Sequence, residues 1–358
     1  MGGQKGIVHF YEDLVSHHEV IMLASQDNIE EINTSFPVQT ILFPNKQMTR
    51  NRLLLKKLRE IVEKEYIDCI IAEHSYTGWM AYALRRSTGI PFIIHSHNLE
   101  VYRFKQMKKK GWWIYKPYEK WIHQKANHNF FISKDDMITA IRDFKLDASK
   151  CSVAPYGIQI PGKIENAKQK FYEKYGIENR YIFHFNGTMD YEPNVDAVNY
   201  LVNYVDPILA KLNFDYKIVI TGKRLDEAIQ QNIKRSNGIV YLDFIEDINL
   251  LYQASDLFLN PVVNNSGIKT KVIEALANHC TVISSRSGAN GIPEEIAKEK
   301  LKQLEDHDWK GFCDAIVKEK DIRKETPPAF FEYFSWQNIA AKAAEKINEV
   351  VSNAGRKF

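Results

Sequence analysis

Tyr181-Ile182-Phe183-His184-Phe185-Asn186-Gly187 decides the fold. It is an apolar run that stops at a polar residue and a glycine, the form of a strand with no solvated face. The same form recurs downstream at Tyr216-Lys217-Ile218-Val219-Ile220-Thr221-Gly222, at Ile239-Val240-Tyr241-Leu242, at Asp256-Leu257-Phe258-Leu259-Asn260 and at Thr281-Val282-Ile283-Ser284-Ser285. Upstream it recurs at residues 20–24, 69–72, 91–95 and 130–132. Between these runs lie stretches with helical spacing, such as residues 51–65, where Leu53, Leu54, Leu58, Ile61 and Val62 repeat at threes and fours. Buried strands alternating with amphipathic helices predict an α/β chain with parallel sheets covered on both faces.

The alternation breaks at Ala154-Pro155-Tyr156-Gly157-Ile158-Gln159-Ile160-Pro161-Gly162, a Pro/Gly stretch that reads as a linker. Two Rossmann-like doubly wound domains are therefore expected, residues 1–160 and 161–330, facing a cleft at the carboxyl ends of their strands. The segment 331–358 carries a last helix near residues 336–351, with Ile339, Ala343, Ile347 and Val350 on one stripe, and is expected to pack back across the domain junction. At the front, Met1-Gly2-Gly3-Gln4-Lys5-Gly6 reads as a glycine-rich loop before a helix at residues 6–16. A domain of this class usually begins with a strand, so the first strand of the N-terminal domain is read as missing.

At 358 residues, two domains are the natural expectation. A hydrophobic share of 44% and a charged share of 26% suit a soluble globular protein. No apolar run is long enough to span a membrane, and the start lacks the character of a signal peptide. Cys69, Cys151, Cys280 and Cys313 lie far apart and read as reduced thiols in the cytoplasm. A net charge of +3 is too small to imply nucleic acid. His17-His18 and Asp135-Asp136 lack partners at ligand spacing, so no metal is assigned.

The chemistry concentrates in Ser266-Gly267-Ile268-Lys269-Thr270-Lys271-Val272-Ile273-Glu274. A helix from residue 268 to 278 would follow the Asp256–Asn260 strand, and its first amides would form an anion site that Ser266 and Gly267 let a diphosphate approach. Lys269 and Lys271 stand where the helix dipole disfavours cations, a conflict that a bound diphosphate reverses. Glu274, three residues after Lys271, could accept hydrogen bonds from a ribose diol. A surface helix with a Lys–Glu pair is the plain alternative.

Residues 186–194 (Asn-Gly-Thr-Met-Asp-Tyr-Glu-Pro-Asn), Asp256 and the segment on to Gly291 resemble the retaining glycosyltransferases of family 4. Ile273-Glu274-Ala275-Leu276-Ala277 is similar to that family's Glu-Ala-Met-Ala helix, and Ser284 to Ile292 to the strand and loop behind it. Gly2-Gly3, His18-Glu19-Val20 and His97-Asn98-Leu99-Glu100 also fall where one branch carries such residues, so the likeness spans nearly the whole chain. It implies the GT-B fold and a nucleotide-sugar co-substrate, with no cofactor. By resemblance Glu274 is the ribose-binding glutamate, Gly187 faces the diphosphate, and His97 lies near the transferred sugar. Two positions depart from the pattern. Ser266 replaces a glutamate that usually contacts sugar hydroxyls, and Thr188 and Pro193 replace an Arg and a Lys. The expected donor site is thus Gly187, Thr188, Lys223, Ser266, Gly267, Lys269, Thr270, Lys271 and Glu274, with the lysines supplying the positive charge.

His97 is the candidate catalytic residue, with a backbone-bonded loop histidine as the alternative, and His95 is placed on the opposite strand face. Gly2 and Gly3 could form a phosphate or acceptor loop, although a lone glycine cluster is weak evidence. Arg103-Phe104-Lys105-Gln106-Met107-Lys108-Lys109-Lys110-Gly111-Trp112-Trp113-Ile114-Tyr115-Lys116 joins lysines to aromatics and has two readings: docking on the inner face of a membrane, or a solvated connector. The expectation is a metal-independent transfer of a sugar to a glycan or lipid-linked acceptor, in cell-surface polysaccharide or lipopolysaccharide synthesis. A nucleotide-sugar epimerase and a non-catalytic binding module stay open beside it.

Overall fold

The computed structural model describes residues 2–27, 33–263 and 268–355. The chain divides into two compact units, one of residues 1–157 with 334–358 and one of residues 158–333.

Among the described residues the first unit holds six strands: β1 (Met22–Ser25), β2 (Val38–Leu42), β3 (Ile70–Glu73), β4 (Phe92–Ser96), β5 (His128–Phe131) and β6 (Cys151–Val153). β1 pairs with β2, and β3 to β6 form a parallel sheet in chain order. Successive side chains of β4 point to opposite faces. Ile93 joins a core with Phe10, Leu14, Phe130, Ile339 and Ile347, while Phe92 and Ile94 join Ala81 and Ile122 on the other side. The helix Trp336–Asn353 thus covers this unit's sheet together with the opening helix.

Two sequence expectations change here. The opening helix is Gly2–Leu14, so Gly2 and Gly3 lie in its first turn and not in a loop. Residues 45–54 form a 3-10 segment, and the α-helix begins only at Leu55. The narrower winding rotates Leu53 out to solvent, whereas Leu58 and Val62 keep their place against Met80 and Leu84.

The second unit holds β7 (Tyr181–Asn186), β8 (Tyr216–Thr221), β9 (Ile239–Leu242), β10 (Leu257–Asn260), β11 (Thr281–Ser285) and β12 (Leu301–Leu304). All pair in parallel, in the order β12-β11-β10-β7-β8-β9. Every residue of β10 and β11 is buried, including the polar Asn260, Thr281, Ser284 and Ser285. Asp residues cap three of the helices that return to this sheet: Asp226, Asp247 and Asp308 accept from Ala228, Leu250 and Gly311 amides. The chain winds outward from β7 in one direction and resumes at β10 in the other, so the strand order reverses between these two neighbours. Ligands of such sheets bind beyond the carboxyl ends at that reversal.

Candidate functional site

The carboxyl end of β7 is Asn186-Gly187, and the chain leaving β10 leads to the helix Thr270–Ala277. The two segments flank the reversal and are tied together there. Lys271 Nζ donates to Asn194 Oδ1 at 2.6 Å, and Asn194 Nδ2 donates to the Thr188 carbonyl at 2.8 Å. Asn194 reaches this position because a side chain on Gly187 is absent: a Cβ there would stand 2.6 Å from Asn194 Nδ2. Gly222, which closes β8, has φ of +146°, and a Cβ on it would lie 1.7 Å from the Gly187 carbonyl oxygen. Bare backbone at both strand ends keeps the surface low for a ligand's approach.

The Lys271 ammonium also lies 4.3 Å from the centroid of the Phe185 ring. Burial pushes its pKa down to about 7, the Lys269 charge adds to that, and Glu274 opposes it. Tyr252 links the site from below. Its hydroxyl lies 3.2 Å from Asn186 Oδ1, 3.2 Å from the Lys271 carbonyl and 3.3 Å from Glu274 Oε2. Burial, then the Glu274 charge, holds the Tyr252 phenol well above its ordinary range, so it stays a neutral donor. Lys269 is buried and occupies the position before the helix, with Thr270 first within it. Lys223 meets the same loop through its carbonyl, which accepts from the Met189 amide at 3.2 Å, while its ammonium sits 4.6 Å from the Phe244 ring centroid.

Gly187, Thr188, Lys271 and Glu274 are therefore neighbours, while Lys269 and Thr270 open the helix that carries Lys271 and Lys223 meets the loop through its backbone. Ser266 and Gly267 lie outside the described residues. Asn194 and Tyr252 were missed as site residues, although Asn194 stands in the quoted stretch after Gly187. No local signal marks Tyr252, whose hydrogen bonds all reach across the fold.

In the first unit His97 follows β4 and Glu73 ends β3. Glu73 Oε2 accepts from His97 Nε2 at 2.6 Å, and Glu73 Oε1 accepts from His95 Nδ1 at 3.1 Å and from the Tyr11 hydroxyl at 2.7 Å. Both imidazoles meet one carboxylate, which corrects the expectation for His95: residues two apart share a strand face. Burial pushes the Glu73 carboxyl up, but the charges and hydrogen bonds of His95 and His97 outweigh it and hold the group well below the usual carboxylate range. His74 packs beside His97 with ring centroids 4.5 Å apart and stacks on Tyr76 at 4.9 Å. Burial, with the His97 charge, pushes the His74 pKa down to about 3. Glu73, His95 and His97 offer three ligand atoms within 4.8 Å of one another, a grouping the sequence reading did not assemble.

The basic and aromatic stretch forms the end of the helix Glu100–Gln106, a turn, and the start of the helix Trp112–Lys125. Trp112 packs toward Leu99 and Phe131, while Met107, Trp113 and Ile114 are exposed beside the lysines. No helix among the described residues is long and apolar enough to cross a membrane.

Residues 2–160 match the family described as Glycosyltransferase Family 4, and residues 180–318 match the one described as Glycosyl transferases group 1. An uncharacterized 44.6 kDa protein in the cps region of Klebsiella pneumoniae is 24% identical over 258 residues, 66% of this chain. The match spans 61% of that relative, less than two thirds of its length. A UDP-Gal:alpha-D-GlcNAc-diphosphoundecaprenol alpha-1,3-galactosyltransferase of Escherichia coli is 23% identical over 309 residues, 82% of this chain and 77% of that protein. Among solved structures, a glycosyltransferase from Rickettsia africae ESF-5 shares the fold with a TM-score of 0.77 at 18% identity, covering 98% of this chain and 96% of that one.

Proposed function

Because the chain belongs to the glycosyltransferases of family 4, with the GT-B fold, we propose that it moves a sugar from a nucleoside-diphosphate donor to a glycan or lipid-linked acceptor. Cell-surface polysaccharide or lipopolysaccharide synthesis is the setting this reading favours. The observation that carries it is the coupling of Gly187, Asn194, Lys271 and Glu274 at the strand-order reversal of the second unit. Open backbone, a desolvated cation and a carboxylate converge there, as a nucleoside diphosphate requires.

In this reading Glu274 accepts hydrogen bonds from the ribose hydroxyls, and Tyr252 holds its carboxylate in place. Lys271, with Lys269 and Lys223, balances the diphosphate charge that grows as the sugar–oxygen bond breaks. Lysines and backbone amides supply that stabilisation without a metal or cofactor. His97 lies near the transferred sugar by the family resemblance, and retention of anomeric configuration has the same basis. The Escherichia coli relative is named for UDP-galactose and a diphosphoundecaprenol-linked acceptor, which makes a UDP-sugar the first donor to try here and a lipid-linked sugar the first acceptor.

The exposed Trp113 and Ile114 beside Lys105, Lys109 and Lys116 support a further part of the reading, peripheral contact with the inner face of a membrane. Lysines would meet anionic headgroups while the apolar pair enters the interface.

A panel of UDP-, GDP- and ADP-sugars tests the function, with free nucleotide as the readout. Release of nucleotide marks a transferase. An isomeric nucleotide sugar would mark an epimerase, and binding with neither product would mark a binding module. Glu274→Ala is expected to weaken UDP binding by about 10- to 100-fold, the worth of a hydrogen bond to a charged group. Unchanged affinity in that variant would remove the ribose role.

A further inference from the structure

Glu73 is used by three donors at once, and that fixes more than its own position. An ionised carboxylate only accepts hydrogen bonds. Each imidazole bonded to it must therefore turn an N–H toward Glu73, and in its neutral form carries its one proton there: Nδ1 in His95, at 3.1 Å, and Nε2 in His97, at 2.6 Å. Tyr11, donating to Oε1 at 2.7 Å, fills the carboxylate further and belongs to the apolar layer of the opening helix. The two histidines then differ in what they present. The other nitrogen of His95, Nε2, is buried without a partner among the described residues, and its ring lies 5.0 Å from that of Phe10. His97 stands two residues further on, at the carboxyl end of β4, and keeps 12% of its side chain exposed.

The backbone around the pair is also unusual. His74, directly after Glu73, has φ of +66° although it is not glycine, and its amide donates to the His95 carbonyl at 2.9 Å. Conformations of this kind persist where surrounding contacts over-determine them, and they gather at functional sites. Here the turn stops β3 at Glu73 and sets that carboxylate beside His97.

Resting on the proposal that His97 serves the transferred sugar, we infer that Glu73 is a positioning residue: it locks His97 as the Nε2–H tautomer and so presents the Nδ1 lone pair as an acceptor for a sugar hydroxyl. A sugar with a hydroxyl aimed at Nδ1 is then favoured over its deoxy analogue at that carbon. The same three side chains could instead gather a divalent cation, and the experiment separates the two.

Long-range nitrogen–proton NMR on the full chain labelled with 15N-histidine reads the tautomer directly, with His97→Ala assigning the signal. The expected result is a His97 ring protonated on Nε2 in the unmodified protein; a proton on Nδ1 overturns the inference, whatever any variant does. In Glu73→Gln the amide can donate as well as accept, so the tautomer becomes mixed. Turnover, measured with whichever nucleotide sugar reacts in the panel above, is expected to fall by about 10- to 100-fold. UDP affinity stays within about twofold, and Glu73→Asp recovers part of the rate. A fixed tautomer and full turnover in Glu73→Gln would overturn the inference, while loss of turnover in His97→Ala alone would leave the functional reading intact. Full turnover in His97→Ala would sink the functional reading of His97, and the NMR signature would still report whether Glu73 holds the ring. Zn2+ binding by the unmodified protein that disappears in Glu73→Gln would assign the cluster to a cation and overturn the inference as well.

Discussion

Lys271 carries its ammonium between the Asn194 amide and the face of Phe185, and that placement gives it a pH-dependent role. Burial, together with the Lys269 charge, brings its pKa to about 7, against about 10.4 for an unstructured lysine. Between those two values the unfolded chain binds more protons than the folded one at this residue. Its contribution to stability therefore rises with pH across that window. Diphosphate binding runs the other way, since the anion favours the charged ammonium. We expect UDP affinity to fall as pH rises above 7. At pH 8.5 binding should take up close to one proton, measured by calorimetry in buffers of different ionisation enthalpy. Lys271→Ala should abolish most of that uptake and weaken binding by about 10- to 100-fold. Lys271 and Glu274 were legible as candidate site residues because their spacing of three is a property of one helix. Asn194 was not, because its bond to Lys271 spans 77 positions.

At the scale of the elements, the ends of β7 and β8 depend on each other. Gly222→Ala would put a methyl group against the Gly187 carbonyl in a backbone conformation that L residues rarely adopt. We expect a loss of more than about 2 kcal/mol in stability, read by urea unfolding, with a parallel loss of UDP binding. Gly89, also at positive φ, has open space where a Cβ would go, so Gly89→Ala should lose less and keep UDP affinity. The start of the helix Trp112–Lys125 makes a separate prediction. Trp113→Ala with Ile114→Ala should reduce sedimentation with vesicles containing anionic lipid, and added salt should reduce it in the unmodified protein. The sequence showed that this stretch mixes lysines and aromatics. Only packing shows that Trp112 turns inward while Trp113 does not.

For the whole molecule, the second unit is one continuous segment and the first is assembled from both ends of the chain. The helix Trp336–Asn353 supplies buried Ile339, Ala343, Ile347 and Val351 to the first unit's core, against Phe10 and Leu14. Each large aliphatic side chain there contributes about 1.5–3 kcal/mol on burial, and domains are stable by only about 5–15 kcal/mol. Ending the chain at Tyr333 should therefore remove the first unit's transition from a calorimetric scan. The transition of residues 158–333, and UDP binding with it, should survive.

The sequence by itself determined the fold class and most of the strands. Apolar runs ending in glycine, and the three-and-four spacing between them, are written into neighbouring residues and need no knowledge of the rest of the chain. It also marked the Pro/Gly stretch of residues 154–162 and a candidate donor helix carrying Lys271 and Glu274. Tertiary structure alone decided what those elements do together. Strand order reverses between β7 and β10 because of how helices cross over the sheet, a choice no local pattern states. Glu73 meets His97 across 24 positions and Tyr11 across 62, so the carboxylate that orients the histidine was invisible next to it in the chain. The helix of residues 336–353 read as a stripe expected to pack back across the domain junction, and only the fold shows it entering a core with Phe10 and Leu14. Hydrogen bonds and cores act over ångströms in space, whereas a sequence lists neighbours only along the chain.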